Sequence, residues 1–142
     1  MCQNAPKSLI MLDSRQKDYI SRISSLVRDY SSFPQVICDL IGCQFALESS
    51  FGTSSLAVNF NNHCGMKYPK YRPTTCLVDD FGVFAHYSSV INCIRDYILC
   101  LTSHHYDRRI ESPLEFCSAL SWYCPDKDYF TNILKLYKMF KS

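Results

Sequence analysis

Gln44-Phe45-Ala46-Leu47-Glu48-Ser49-Ser50-Phe51-Gly52 is the stretch that decides how this chain folds. An apolar run carries one carboxylate at its end and then stops on serines and a glycine. Upstream, Ile37, Leu40, Ile41 and Phe45 recur at helical spacing, which predicts a helix from Pro34 to near Glu48. Proline suits the first turn of a helix, and Ser49, Ser50 and Gly52 disfavour its continuation. A carboxyl group at the end of so greasy a helix is poorly solvated, which raises its pKa toward that of a working general acid. The small residues that follow would open a cleft in front of it. On that reading Glu48 is a candidate general acid, and a glycosidic bond is the kind the chain would cleave.

Working outward, Tyr19, Ile23, Leu26, Val27 and Tyr30 form a helical stripe after Asp13 or Ser14, either of which serves as N-cap. A short helix is expected over 54–58, and the Asn-, Gly- and Pro-rich residues 59–75 read as loop. Cys76 to Tyr87, with Asp79-Asp80 and Gly82, reads as a small β-hairpin. Helices are expected from Ser88, after Ser112-Pro113, and from about Asp128 to Phe140, where Asp126 and Asp128 act as caps. The fold class is α+β and mostly helical, with one small β element.

The 142 residues are expected to make one domain, 1–142, without repeat, linker or low-complexity tract. A hydrophobic content of 47% with 20% charged residues describes a globular chain. A net charge of +2 gives no basic stripe for nucleic acid. Nine cysteines show no CxxC pair, and His63-Cys64 and His104-His105 lack the spacing of a metal site, so no metal or cofactor is expected and the thiols read as small buried hydrophobes. Ser8 to Leu12 is too short for the core of a signal peptide, and no run reaches transmembrane length. Synthesis as a soluble cytoplasmic monomer, without membrane insertion, is the expectation, with any action on a cell wall following release or export.

Four blocks then carry a resemblance. Ala46 to Gly52 resembles the "ALESGWG" signature of glycoside hydrolase family 73, the bacterial N-acetylglucosaminidases found in flagellar peptidoglycan hydrolases, autolysins and phage lysins. Asn61-Asn62-His63-Cys64-Gly65-Met66-Lys67 resembles its "NNLFGIK", Phe84 to Ser89 its "FRxYxS", and Tyr123 to Tyr129 its "YATDPxY". The blocks keep the family's order and lie within residues 36–140.

The resemblance implies a lysozyme-like fold with Glu48 as general acid at a cleft beside the hairpin. Its substrate would be the glycan strands of bacterial peptidoglycan. Many family members place a second acid just before the "FRxY" block; here Asp80, then Asp79, are the candidates, although Ala85 replaces the motif's arginine. The substrate's own N-acetyl group is an alternative nucleophile, with Tyr123 orienting it. Asn62, Gly65, Tyr87 and Trp122 are the substrate-binding candidates. Two rival readings stand beside this one: a lytic transglycosylase or muramidase of the same fold, and a glycan-binding module that has lost turnover.

Overall fold

The computed structural model describes residues 11–69, 71–77, 82–104, 110–121 and 123–142. Among these, six helices follow in order: α1 (Ser14–Tyr30), α2 (Gln35–Ser49), α3 (Ser55–Phe60), α4 (Val90–His104), α5 (Pro113–Leu120) and α6 (Lys127–Lys141). No described helix is long and apolar enough to cross a membrane.

Helix α1 starts where its chemistry allows. The Asp13 carboxylate accepts from the Gln16 amide at 2.8 Å, while the Gln16 side chain accepts from the Asp13 amide at 2.9 Å. This reciprocal box satisfies two of the free N–H groups at a helix start. Tyr19, Ile20, Ile23, Ser24 and Val27 form the buried stripe.

Helix α2 is the centre of the molecule. The sequence predicts one apolar face; the structure instead buries every residue from Ile37 to Ser49. A helix enclosed on all sides must be apolar on all sides. Packing of α1, α5 and α6 around it explains the lack of a polar face. Ile37, Leu40, Ile41 and Phe45 are fully buried, each contributing roughly 1.5–3 kcal/mol. Gly42 sets the closeness of α1, since a Cβ there would lie 2.8 Å from the Ile20 carbonyl oxygen. The one charge in the middle of α2, Asp39, accepts from Ser24 Oγ at 2.6 Å and pairs with Lys141 Nζ at 2.7 Å. That pair ties the end of α6 back to the central helix.

The expected hairpin over 76–87 does not form as two strands among the described residues. Residues 78–81, including Asp79 and Asp80, lie outside them. A single antiparallel bridge instead joins Lys67 to Phe84, with Tyr68 N donating to Val83 O at 2.8 Å and Ala85 N to Met66 O at 2.9 Å. The partner of 83–85 is therefore the loop 66–68. The stretch before it is held elsewhere: the buried Asp96 of α4 accepts from Arg72 and Thr74, both at 2.7 Å. Free thiols stand at Cys38, Cys43, Cys64, Cys76, Cys93, Cys100 and Cys117, and Cys124 is disulfide-bonded.

Candidate active site

Glu48 lies in the last turn of α2 and is 8% exposed. Its Oε1 accepts a hydrogen bond of 2.9 Å from the Tyr129 hydroxyl of α6. Tyr129 in turn accepts from Gln44 Nε2 at 2.9 Å, and the Gln44 carbonyl oxygen accepts from the Tyr97 hydroxyl of α4. A row of polar groups therefore crosses the apolar core and ends on one carboxyl oxygen. Among the described residues Oε1 alone of the two carboxyl oxygens has a hydrogen-bond partner.

Burial raises the Glu48 pKa from 4.5 to about 7, against a smaller lowering by the Tyr129 hydroxyl. The C-terminal end of α2 acts in the same direction as burial, since its partial negative charge disfavours a second anion. Tyr129 is itself pushed well above its usual range by burial and by Glu48, so it stays a donor. The result is a carboxyl group that is protonated in a large fraction of molecules near neutrality, the state that general-acid catalysis needs.

The backbone after Glu48 is unusual. Ser50, Phe51 and Gly52 have φ of 50°, 56° and 79°, three left-handed residues in succession. For Ser50 and Phe51 that conformation costs roughly 1–2 kcal/mol each. Ser49 compensates by accepting from Gly52 N at 2.8 Å and donating to Phe45 O at 2.6 Å. Behind the turn, the Tyr19 hydroxyl lies 3.0 Å from Ser49 Oγ and 2.8 Å from His63 Nδ1. His63 is held down to about 4 by burial and by Arg22, so it is a neutral strut at working pH.

The other sequence-predicted residues divide into four groups. Tyr123 is in the cluster: its ring stacks on Tyr129 with centroids 6.4 Å apart, and its hydroxyl donates to the Cys64 carbonyl. Asn62 and Gly65 build the loop beneath it. The Asn62 side chain donates to Met66 O and Ala85 O at 3.0 and 2.8 Å and accepts from Gly65 N at 2.9 Å, while Gly65 takes a φ of 71°. Tyr87 is buried, its hydroxyl donating to Asp96 Oδ2 at 2.5 Å and its carbonyl oxygen accepting from Asn61 Nδ2 at 3.0 Å. Asp79, Asp80 and Trp122 lie outside the described residues.

Sequence reasoning missed Tyr129 and Gln44 as members of the site. Gln44 carried a usable signal, since it stands one helical turn before Glu48 on the same face. Tyr129 closes the fourth motif block but is 81 residues from the carboxylate it serves, so no local pattern joins them. No group of three or more His, Cys, Asp or Glu side chains among the described residues is arranged to hold a metal ion.

Two solved structures share this architecture. One is a type VI secretion system effector–immunity complex from Pseudomonas protegens, matched at 15% identity over 91% of this chain and 93% of that one, with a TM-score of 0.67. The other is the catalytic domain of the autolysin Auto from Listeria monocytogenes, at 18% identity over 94% and 90% of the two chains, with a TM-score of 0.60. At such identities the likeness is one of fold. Among curated proteins none matches the sequence. The model of the glucosaminidase family, described as mannosyl-glycoprotein endo-beta-N-acetylglucosaminidase, matches residues 16–142. That match takes in α1 from its third residue, α2 to α6 and every described member of the Glu48 cluster, and with it the chain belongs to the glucosaminidase family of glycoside hydrolases.

Proposed function

We propose that the protein cleaves the β-1,4 bond after N-acetylglucosamine in bacterial peptidoglycan, with Glu48 as the general acid. One observation carries the role of Glu48: a buried carboxyl group, with one oxygen anchored by Tyr129, whose pKa is raised to about 7. Such a group gives its proton to the departing sugar oxygen as the bond to the anomeric carbon breaks. The peptidoglycan assignment draws on the family, and on architecture shared with an autolysin catalytic domain and a chain of a type VI secretion effector–immunity complex. Cell-wall glycan is a substrate consistent with both.

The second group is Asp80 or Asp79 activating water or attacking directly, or else the substrate's own acetamido oxygen, steadied by Tyr123. Replacing each aspartate separately with asparagine distinguishes these routes. Full activity in both variants supports the acetamido route. The bond cleaved is read by mass spectrometry of digested, purified cell walls. Fragments ending in reducing N-acetylglucosamine are expected. Fragments ending in reducing muramic acid or in 1,6-anhydro-muramic acid would replace this reading with a muramidase or a transglycosylase, and tight wall binding without any fragment would indicate a binding module.

A further inference from the structure

Beside the turn that follows Glu48 lies a cavity of about 360 Å³ that the acid chemistry does not use. One wall is α1, through Arg15, Asp18, Tyr19 and Arg22; the other is the turn at 51–53. Arg15, Asp18, Tyr19 and Arg22 stand at spacings of three, four and seven, so they share one face of the helix. The floor is rigid. Tyr19 is locked by Ser49 and His63, and a Cβ on Gly52 would lie 2.8 Å from the Tyr19 ring. The Arg22 guanidinium sits over that ring at 5.9 Å and lines the cavity. Among the described residues neither Arg15 nor Arg22 is in an ion pair, and with Asp18 between them the pocket keeps a net positive charge.

A guanidinium can donate to the hydroxyls of a neutral sugar, but two of them beside the turn that follows Glu48, neither in an ion pair among the described residues, match an anion better. The peptide branches of peptidoglycan, in contrast, carry free carboxylates, and forked guanidinium groups match carboxylates with paired, charge-assisted hydrogen bonds. We propose that this pocket binds a carboxylate of the peptide branch on a sugar next to the scissile bond, with Arg15 and Arg22 as its donors. Asp18 then accepts from an amide or ammonium of the same peptide. The enzyme thereby selects peptide-bearing strands over bare glycan. This inference rests on peptidoglycan being the substrate.

The test is a titration of the isotopically labelled protein with the acidic stem peptide released from peptidoglycan by an amidase, followed by NMR. Saturable shifts centred on the Gly52 and Thr53 amides are expected, with affinity falling about tenfold in the Arg15→Gln/Arg22→Gln variant. The same peptide with its carboxylates amidated should bind wild type as weakly as the acidic peptide binds that variant. Both arginines are exposed, so the variant's helical circular dichroism should match wild type. No shift at those amides, or equal affinity in the variant, overturns the pocket. Because the readout is binding, it separates the two claims: wall hydrolysis without peptide shifts defeats the pocket alone, and peptide binding without hydrolysis defeats the proposed reaction.

Discussion

At the scale of the single residue, Glu48 makes opposite demands on activity and on stability. The unfolded chain ionises this group near 4.5 and the folded chain near 7. Between those values the unfolded state has released a proton that the folded state keeps, so raising pH weakens the fold. The penalty reaches about 3 kcal/mol above the folded pKa and vanishes below the unfolded one. Glu48→Gln keeps an acceptor for Tyr129 and removes the charge. It should melt higher than wild type at pH 8 and match it at pH 4, read by thermal denaturation at both. Tyr129→Phe removes the donor that favours ionisation, so Glu48 should hold its proton to higher pH. The alkaline limb of the activity profile should move upward, while overall rate falls because the carboxyl is less well aimed. An unmoved limb would mean that Tyr129 does not govern the acid.

At the scale of elements, the turn between α2 and α3 is where backbone cost is concentrated. Three left-handed residues in a row hold the end of α2 against Tyr19, and Gly52 is the only one of them without a Cβ. Gly52→Ala would place a methyl group against a ring that two hydrogen bonds prevent from moving. A loss of roughly 2 kcal/mol in urea denaturation is expected. A neutral result would mean that Tyr19 can swing aside and that the turn is softer than its geometry implies. Helices α1, α2, α4, α5 and α6 were legible in the sequence because apolar periodicity and capping residues such as Asp13, Ser112 and Asp126 are local signals. The pairing of Lys67 with Phe84 was not. It joins two segments that share no turn, and the Cys76–Tyr87 stretch satisfies the composition of a hairpin without forming one among the described residues.

At the scale of the whole molecule, two buried carboxylates fasten the loops and the last helix onto the core. Asp39 receives Lys141 at 2.7 Å, and Asp96 receives Arg72, Thr74 and Tyr87. Asp96 is held below the usual carboxylate range; burial opposes this, and the hydrogen bonds from Arg72 and Tyr87 outweigh it. The stability it contributes is present above the unfolded pKa and lost as pH falls through the folded one. Asp96→Asn should cost about 3 kcal/mol in denaturant unfolding at pH 7, because Arg72 is left half-buried without its anion. The candidate site shows the same division between local and distant information. The burial of Glu48 could be read from its apolar run and the break after it. Its partner Tyr129 could not, since only the packing of α6 on α2 brings the two together.

The central claim is that one proton, carried by Glu48, breaks the glycosidic bond. The most direct measurement is the rate of reducing-end release from purified peptidoglycan by wild type and by Glu48→Gln, both verified as folded. The account predicts a loss of roughly 10²–10⁴-fold in the variant, with wall binding retained. Equal rates from the two proteins would contradict it.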